Sequence, residues 1–216
     1  PSGEQRFLLL ETIREFALEQ LRAHGEEALL RQRHYAAYLQ LFRTGDSYLR
    51  GPEAAIWFAR LEAEQDNLRA AIQWAFHAER FADAHWLQIA CSRLWVQRGR
   101  WQEFGRWLVQ LLPHRHELPV DLHLNMLTCI YAVGRTVAEL QPLDRWKSEM
   151  LQLLEICPNQ HLHSYAWYLI ACYSVDFSEV IAAFDRSIAA ARLAREGPGL
   201  GPEFGLLADC DFILAN

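Results

Sequence analysis

Between the sparse glycines and prolines of this chain, apolar residues recur at spacings of three and four rather than two. That pattern predicts a nearly all-helical protein. Thr12 and Glu15 form a T-x-x-E capping box at the first helix start, Ile13, Phe16, Ala17 and Leu21 make its inward stripe, and Gly25 is placed to end it. A second helix is expected over 26–42 with Leu29, Leu30, His34, Ala37, Tyr38 and Leu41 on one face. Thr44-Gly45-Asp46 and Gly51-Pro52 mark the next breaks. Helical spacing resumes over 53–77, with Trp57, Leu61, Leu68, Ala71, Ile72 and Ala75 inward and the acidic EAEQDN stretch as an elbow. Further helices are predicted at 82–98, 101–112, 121–138, 143–156, 161–174, 177–195 and 203–214. The exception is RFLLL at 6–10, a short apolar run expected to be a terminal strand.

The second helices of successive hairpins share apolar offsets of 0, 3, 7 and 10. Leu68, Ala71, Ala75 and Ala78 are followed by Trp101, Phe104, Leu108 and Leu111, then by Leu143, Trp146, Met150 and Leu153, then by Phe177, Val180, Phe184 and Ser187. The intervals of 33, 42 and 34 residues describe a degenerate period with one insertion or shifted register. The expected fold is all-α: stacked helical hairpins in a tetratricopeptide-like superhelix with degenerate repeats. Phe104, Trp146 and Val180 replace the small residue of the tetratricopeptide pattern, which requires wider or altered packing angles. Pro113 and Pro158 close second helices.

The opening stretch RFLLLETIREFALEQLRAHGEEALLRQRHYAAYL and the following LRGPEAAIWFARLEAEQDNLRAAIQWAF resemble the junction between winged helix and helical array in bacterial STAND-type ATPase transcriptional regulators. The resemblance covers residues 4 to about 112 and is most specific over 4–78. It implies that residues 1–50 are the end of a winged-helix strand and connecting helices, and that 51–216 are a tetratricopeptide-like array truncated at its C-terminus. It further implies a non-catalytic protein-interaction or sensor module of an ATP-dependent regulator, in the cytoplasm. Its partners would be another protein or other domains of the same full-length chain. A helical array that binds a small-molecule inducer is the alternative, and an enzyme whose site no motif reveals is the third reading.

Composition agrees with a folded, soluble protein: 51% of residues are hydrophobic and 22% charged, and no apolar run is long enough to span a bilayer. PSGEQRF at the start carries neither an initiator Met nor a signal-peptide layout, so the chain reads as an excised fragment. The net charge of −6 argues against direct nucleic-acid contact. A phosphate loop needs glycine amides and a lysine in G-x-x-x-x-G-K-[ST], but the only lysine is Lys147, behind Trp146. The chain is therefore expected neither to bind nor to hydrolyse ATP. The five cysteines are odd in number and widely spaced, and read as buried free thiols.

Two clusters approach metal-ligand chemistry, His114-Arg115-His116 and Cys157 with His161 and His163, and both lack the spaced ligand pairs of a zinc site. No metal and no cofactor are expected. No G-x-S-x-G or C-x-x-C motif supports catalysis, and the paired carboxylates read as solvated helix faces. Trp101, Phe104, Trp146, Phe177 and Phe184 are assigned to the core by the repeat offsets. First helices of stacked hairpins line the concave surface. That rule nominates Trp86, Arg93 and Gln97 (with Ile89), Tyr131 and Arg135, and Tyr165 and Tyr173 (with Leu162 and Leu169) as a groove for a partner or ligand. Arg93 and Arg135 would meet an acidic peptide or an anionic inducer.

Overall fold

The computed structural model describes residues 10–49 and 51–196, and its described residues are helical throughout, with no strand. The helices are α1 (Glu11–Ala23), α2 (Glu27–Tyr48), α3 (Ala54–Ala63), α4 (Gln65–His77), α5 (Phe81–Gln97), α6 (Trp101–Leu111), α7 (Val120–Val133), α8 (Asp144–Ile156), α9 (Gln160–Tyr173) and α10 (Phe177–Glu196). A 3-10 turn, Leu112–Glu117, follows α6, and two more, Gly134–Thr136 and Ala138–Leu140, separate α7 from α8. Positions 6–9 of the expected strand, the expected helix at 203–214 and Cys210 lie outside the described residues. Leu10 leads into α1 without forming a strand.

Each helix packs on its successor from α4 onward, while α5 touches α7 and α7 touches α9, so first helices form a row with second helices beside them. A continuous apolar core runs from Tyr35 to Ala183 along this row. The repeat offsets hold where they matter for that core: Leu68, Ala71, Ala75, Phe104, Leu108, Leu111, Trp146 and Met150 are all buried. In the last set only Ser187 is buried. Phe177 is 78% exposed, and Ser187 is joined on the inward face of α10 by Ala183, Ala190 and Ala194, small residues that let α10 lie close against α9. Phe184 is half-buried, edge-on to Tyr168.

Ion pairs cross between successive hairpins at nearly the repeat period. Arg69 donates to Glu103 (2.6 Å) 34 positions on, and Arg115 to Glu149 (3.0 Å) 34 positions on. Lys147 pairs with Glu179 across 32 positions and Arg98 with Glu62 (2.7 Å) across 36. The long interval of 42 has its own cause. α7 ends at Val133 rather than 138, and the following turns carry Val137 into contact with Gly105 of α6, where an added Cβ would sit 2.2 Å from a Val137 methyl. Gln141 Nε2 donates to the carbonyl of Gly134 and holds this segment in place.

Several local expectations are corrected. Thr12 and Glu15 form no cap, because α1 begins at Glu11 behind Leu10 and no side chain bonds to its first amides. Ile13 and Phe16 (61% exposed) face outward, since α1 rests only lightly on α2. α2 runs through Thr44-Gly45-Asp46 to Tyr48 with Tyr35, Phe42, Gly45 and Asp46 as its inward face; Gly45 is there for the close approach of Leu61, and Asp46 for an ion pair. The elbow at EAEQDN is real and falls at Glu64, between α3 and α4. Asn159 caps α9 by accepting from the amides of His161 and Leu162. Cys91, Cys129 and Cys157 are buried free thiols, whereas Cys172 is exposed.

Three helices end in the same left-handed turn, with paired backbone bonds back into the last turn. Gly25 (φ 68°) and Gly99 (φ 68°) occupy it after α1 and α5, but after α4 the position is held by Glu79 (φ 54°). A side chain in that region is strained by the contact of its Cβ with the carbonyl. Glu79→Gly is therefore expected to raise stability by about 1 kcal/mol, read as a higher urea midpoint with unchanged slope.

Candidate functional site

Four elements meet at an open cleft of about 380 Å³, lined by Val96 of α5, Trp101 of α6, Ala132 and Arg135 at the end of α7, and Tyr165, Tyr168, Leu169, Cys172 and Tyr173 of α9. The α9 residues recur at i, i+3, i+4, i+7 and i+8, so one helix face supplies most of the wall. Arg135 leaves α7 in the Gly134–Thr136 turn, and its guanidinium sits 4.5 Å from the centre of the Tyr173 ring. Tyr131 is buried behind Tyr173 in an edge contact at 5.7 Å and fixes that ring from below. Tyr165 stacks on Tyr168 with ring centres 6.0 Å apart. Burial pushes the Tyr165, Tyr168 and Tyr173 phenols up, with Arg135 opposing the rise at Tyr173, so all three stay neutral near pH 7.

Arg135 is exposed and has no carboxylate within ion-pair distance among the described residues. A cation over an aromatic ring, at the mouth of an apolar cleft with neutral hydroxyls, can hold an anionic group while the rings take up a flat apolar body.

The predicted groove residues divide. Arg135, Tyr165 and Tyr173 converge here, with Tyr131 as support. Trp86 and Arg93 do not take part, because α2 packs across α5 and closes that side of the helix. Trp86 lies half-buried with the Arg43 guanidinium 4.7 Å from its ring, and Arg93 is buried in an ion pair with Asp46 at 2.7 Å. Ile89 and Leu162 are core, and Gln97 is exposed at the end of α5 outside the cleft lining. Trp101, assigned to the core by its repeat offset, is half-buried and forms part of the cleft wall. Tyr168 and Cys172 are legible in principle, because the α9 stripe from Tyr165 includes 168 and 172.

A second hollow of about 390 Å³ lies at the turn after α1, where Arg22 and Arg31 flank Glu27 at 2.9 and 3.6 Å. Both guanidinium groups are already engaged by the one carboxylate. Of the two histidine clusters weighed from sequence, His114 contacts Glu117 and stacks on Phe81, and His163 bonds to the Cys157 carbonyl, while His116 turns toward Glu149 of α8. His85, Gln88 and Asn125 form a buried polar layer between α5 and α7 that apolar periodicity does not reveal.

No helix of the described residues is long and apolar enough to cross a membrane. No family model matches the chain, and no solved structure matches it. Over 146 residues it is 31% identical to proteins named putative HTH-type transcriptional regulators, from Mycobacterium tuberculosis strains H37Rv and CDC 1551 and from Mycobacterium bovis. The aligned stretch covers 67% of this chain and 15% of each of those proteins, so the chain is similar to one part of a much longer regulator.

Proposed function

We propose that this chain is the non-catalytic sensor and interaction region of a bacterial ATP-dependent transcriptional regulator, acting in the cytoplasm through a tetratricopeptide-like array. The Arg135 cleft is its point of recognition. The observation that carries the reading is a guanidinium set over an aromatic wall, with no carboxylate partner among the described residues, in a helical chain similar to proteins named putative HTH-type transcriptional regulators. ATP binding and DNA binding belong to other parts of the longer protein, since this sequence has no phosphate loop. The occupant is a segment of a protein partner or of the same full-length chain. The cleft volume, within the range of small-molecule sites, favours an anionic inducer as the second reading.

Thermal melting against a panel of aromatic carboxylates tests the inducer reading, and pull-down from cell extract tests the partner reading. Arg135→Ala is expected to abolish the response in whichever assay gives one, while changing stability by no more than about 0.5 kcal/mol, because the residue is exposed and unpaired. Binding that survives Arg135→Ala would place recognition elsewhere. Saturable ATP binding in calorimetry would overturn the non-catalytic reading.

A further inference from the structure

A different part of the molecule gathers ligands of another kind. His116 lies near the end of the 3-10 turn after α6, His123 lies in the first turn of α7, and Glu149 lies midway along α8. Their donor atoms all fall within 4.8 Å of one another. Nε2 of His123 is 2.8 Å from a Glu149 carboxylate oxygen, and Nδ1 of His116 is 3.8 Å from the same oxygen. The two imidazoles stand edge to face, 5.3 Å apart, on either side of the carboxylate.

We propose that His116, His123 and Glu149 bind a zinc ion, or a similar imidazole-preferring divalent metal, as a staple between two consecutive hairpins. The donor set is two nitrogens and one carboxylate oxygen, which favours zinc over the harder magnesium and calcium. Tetrahedral bonds of about 2.0–2.2 Å put ligand atoms about 3.4 Å apart, so the three groups need only a small closure. His116 can supply it, since its side chain is 63% exposed. A second observation points the same way: Nε2 of His123 is buried and makes no regular hydrogen bond, although the carboxylate is close. An ion bound there replaces this single close contact, and the proton it carries, with a bond to a metal that the same carboxylate also holds. The fourth position faces solvent on the His116 side and is open to water or to a side chain from a partner.

Arg115 is the competitor. Its Nε donates to the same Glu149 oxygen at 3.0 Å and supplies the positive charge there without metal. A metal must displace the guanidinium toward the other oxygen, which Arg115 already approaches at 3.4 Å.

The test is titration of the metal-stripped 216-residue chain with zinc chloride by calorimetry, and with cobalt(II) followed by visible absorption. One ion per chain is expected, with a raised melting temperature. His116→Ala and Glu149→Gln should each weaken binding at least about tenfold with circular dichroism unchanged, and Arg115→Ala should tighten it. Absence of binding to the unaltered chain, or binding that survives both His116→Ala and Glu149→Gln, would overturn the site.

Discussion

Replacing Arg93 by alanine is expected to destabilise the chain by about 3–5 kcal/mol, a large share of the total stability of a domain this size. Arg93 on α5 and Asp46 on α2 are 3% and 7% exposed at their side chains and pair at 2.7 Å across 47 positions of sequence. The pair is not itself a large source of stability, since two desolvated charges offset most of their attraction. Its importance lies in what one partner leaves behind. Without the guanidinium, Asp46 keeps a carboxylate in the α2–α5 interface with nothing to neutralise it. The double replacement Asp46→Leu with Arg93→Met removes both charges and is expected to recover most of the loss, because apolar groups of similar size fill the interface. Urea denaturation of the three proteins measures this. A loss below about 1 kcal/mol for Arg93→Ala would mean that Asp46 reaches water in the variant. The contrast with the nearly neutral Arg135→Ala separates two arginines that the sequence places in one groove.

Acidification gives the second large effect. His85 is fully buried, and burial pushes its imidazole down to about 4, against hydrogen bonds to Gln88 and Asn125 that favour the charged form. Between the ordinary value near 6.5 and about 4, the unfolded chain binds a proton that the folded chain refuses. Stability is therefore complete above about pH 6.5 and falls as the pH drops through that window, by about 3 kcal/mol from this residue. His34 and His123, both lowered chiefly by burial, contribute slopes of the same sign. Urea midpoints from pH 7 to pH 4 should decline steeply in the unaltered chain and less steeply in His85→Gln. Equal slopes in the two proteins would show that the ring takes its proton without unfolding.

Helix existence, spacing and type were legible because the covered face of each helix is written in its own apolar period. Positions such as Leu68, Phe104, Leu108 and Met150 need only local reading to be placed in the core. What stayed hidden is what distant elements decide. Gly45 and Asp46 look like a break, yet they serve a close approach and an ion pair made with residues 16 and 47 positions away. Arg93 looked available because nothing in the sequence says that α2 lies across α5. The cleft is half visible in the sequence: Arg135, Tyr165 and Tyr173 follow from hairpin geometry, but Trp101 occupies a core offset at a helix start, where the chain has not yet entered the packed layer. His116, His123 and Glu149 share no motif, since Pro119 separates the histidines and the carboxylate arrives one hairpin later.

The ion pairs that link hairpins also have a direction. In three of the four crossings the base lies on the earlier hairpin and the acid on the later: Arg69 with Glu103, Arg115 with Glu149, Lys147 with Glu179. At the two later junctions the hairpin thus offers positive charge to its successor and negative charge to its predecessor, while Arg98 with Glu62 offsets this polarity at the first, so the later part of the array has a head and a tail. Two copies meeting tail to tail, or a hairpin inserted backwards, would bring like charges together. Though each crossing at the surface is individually weak, the repeated polarity marks one order of stacking as correct and gives the array a sense in which it can be extended.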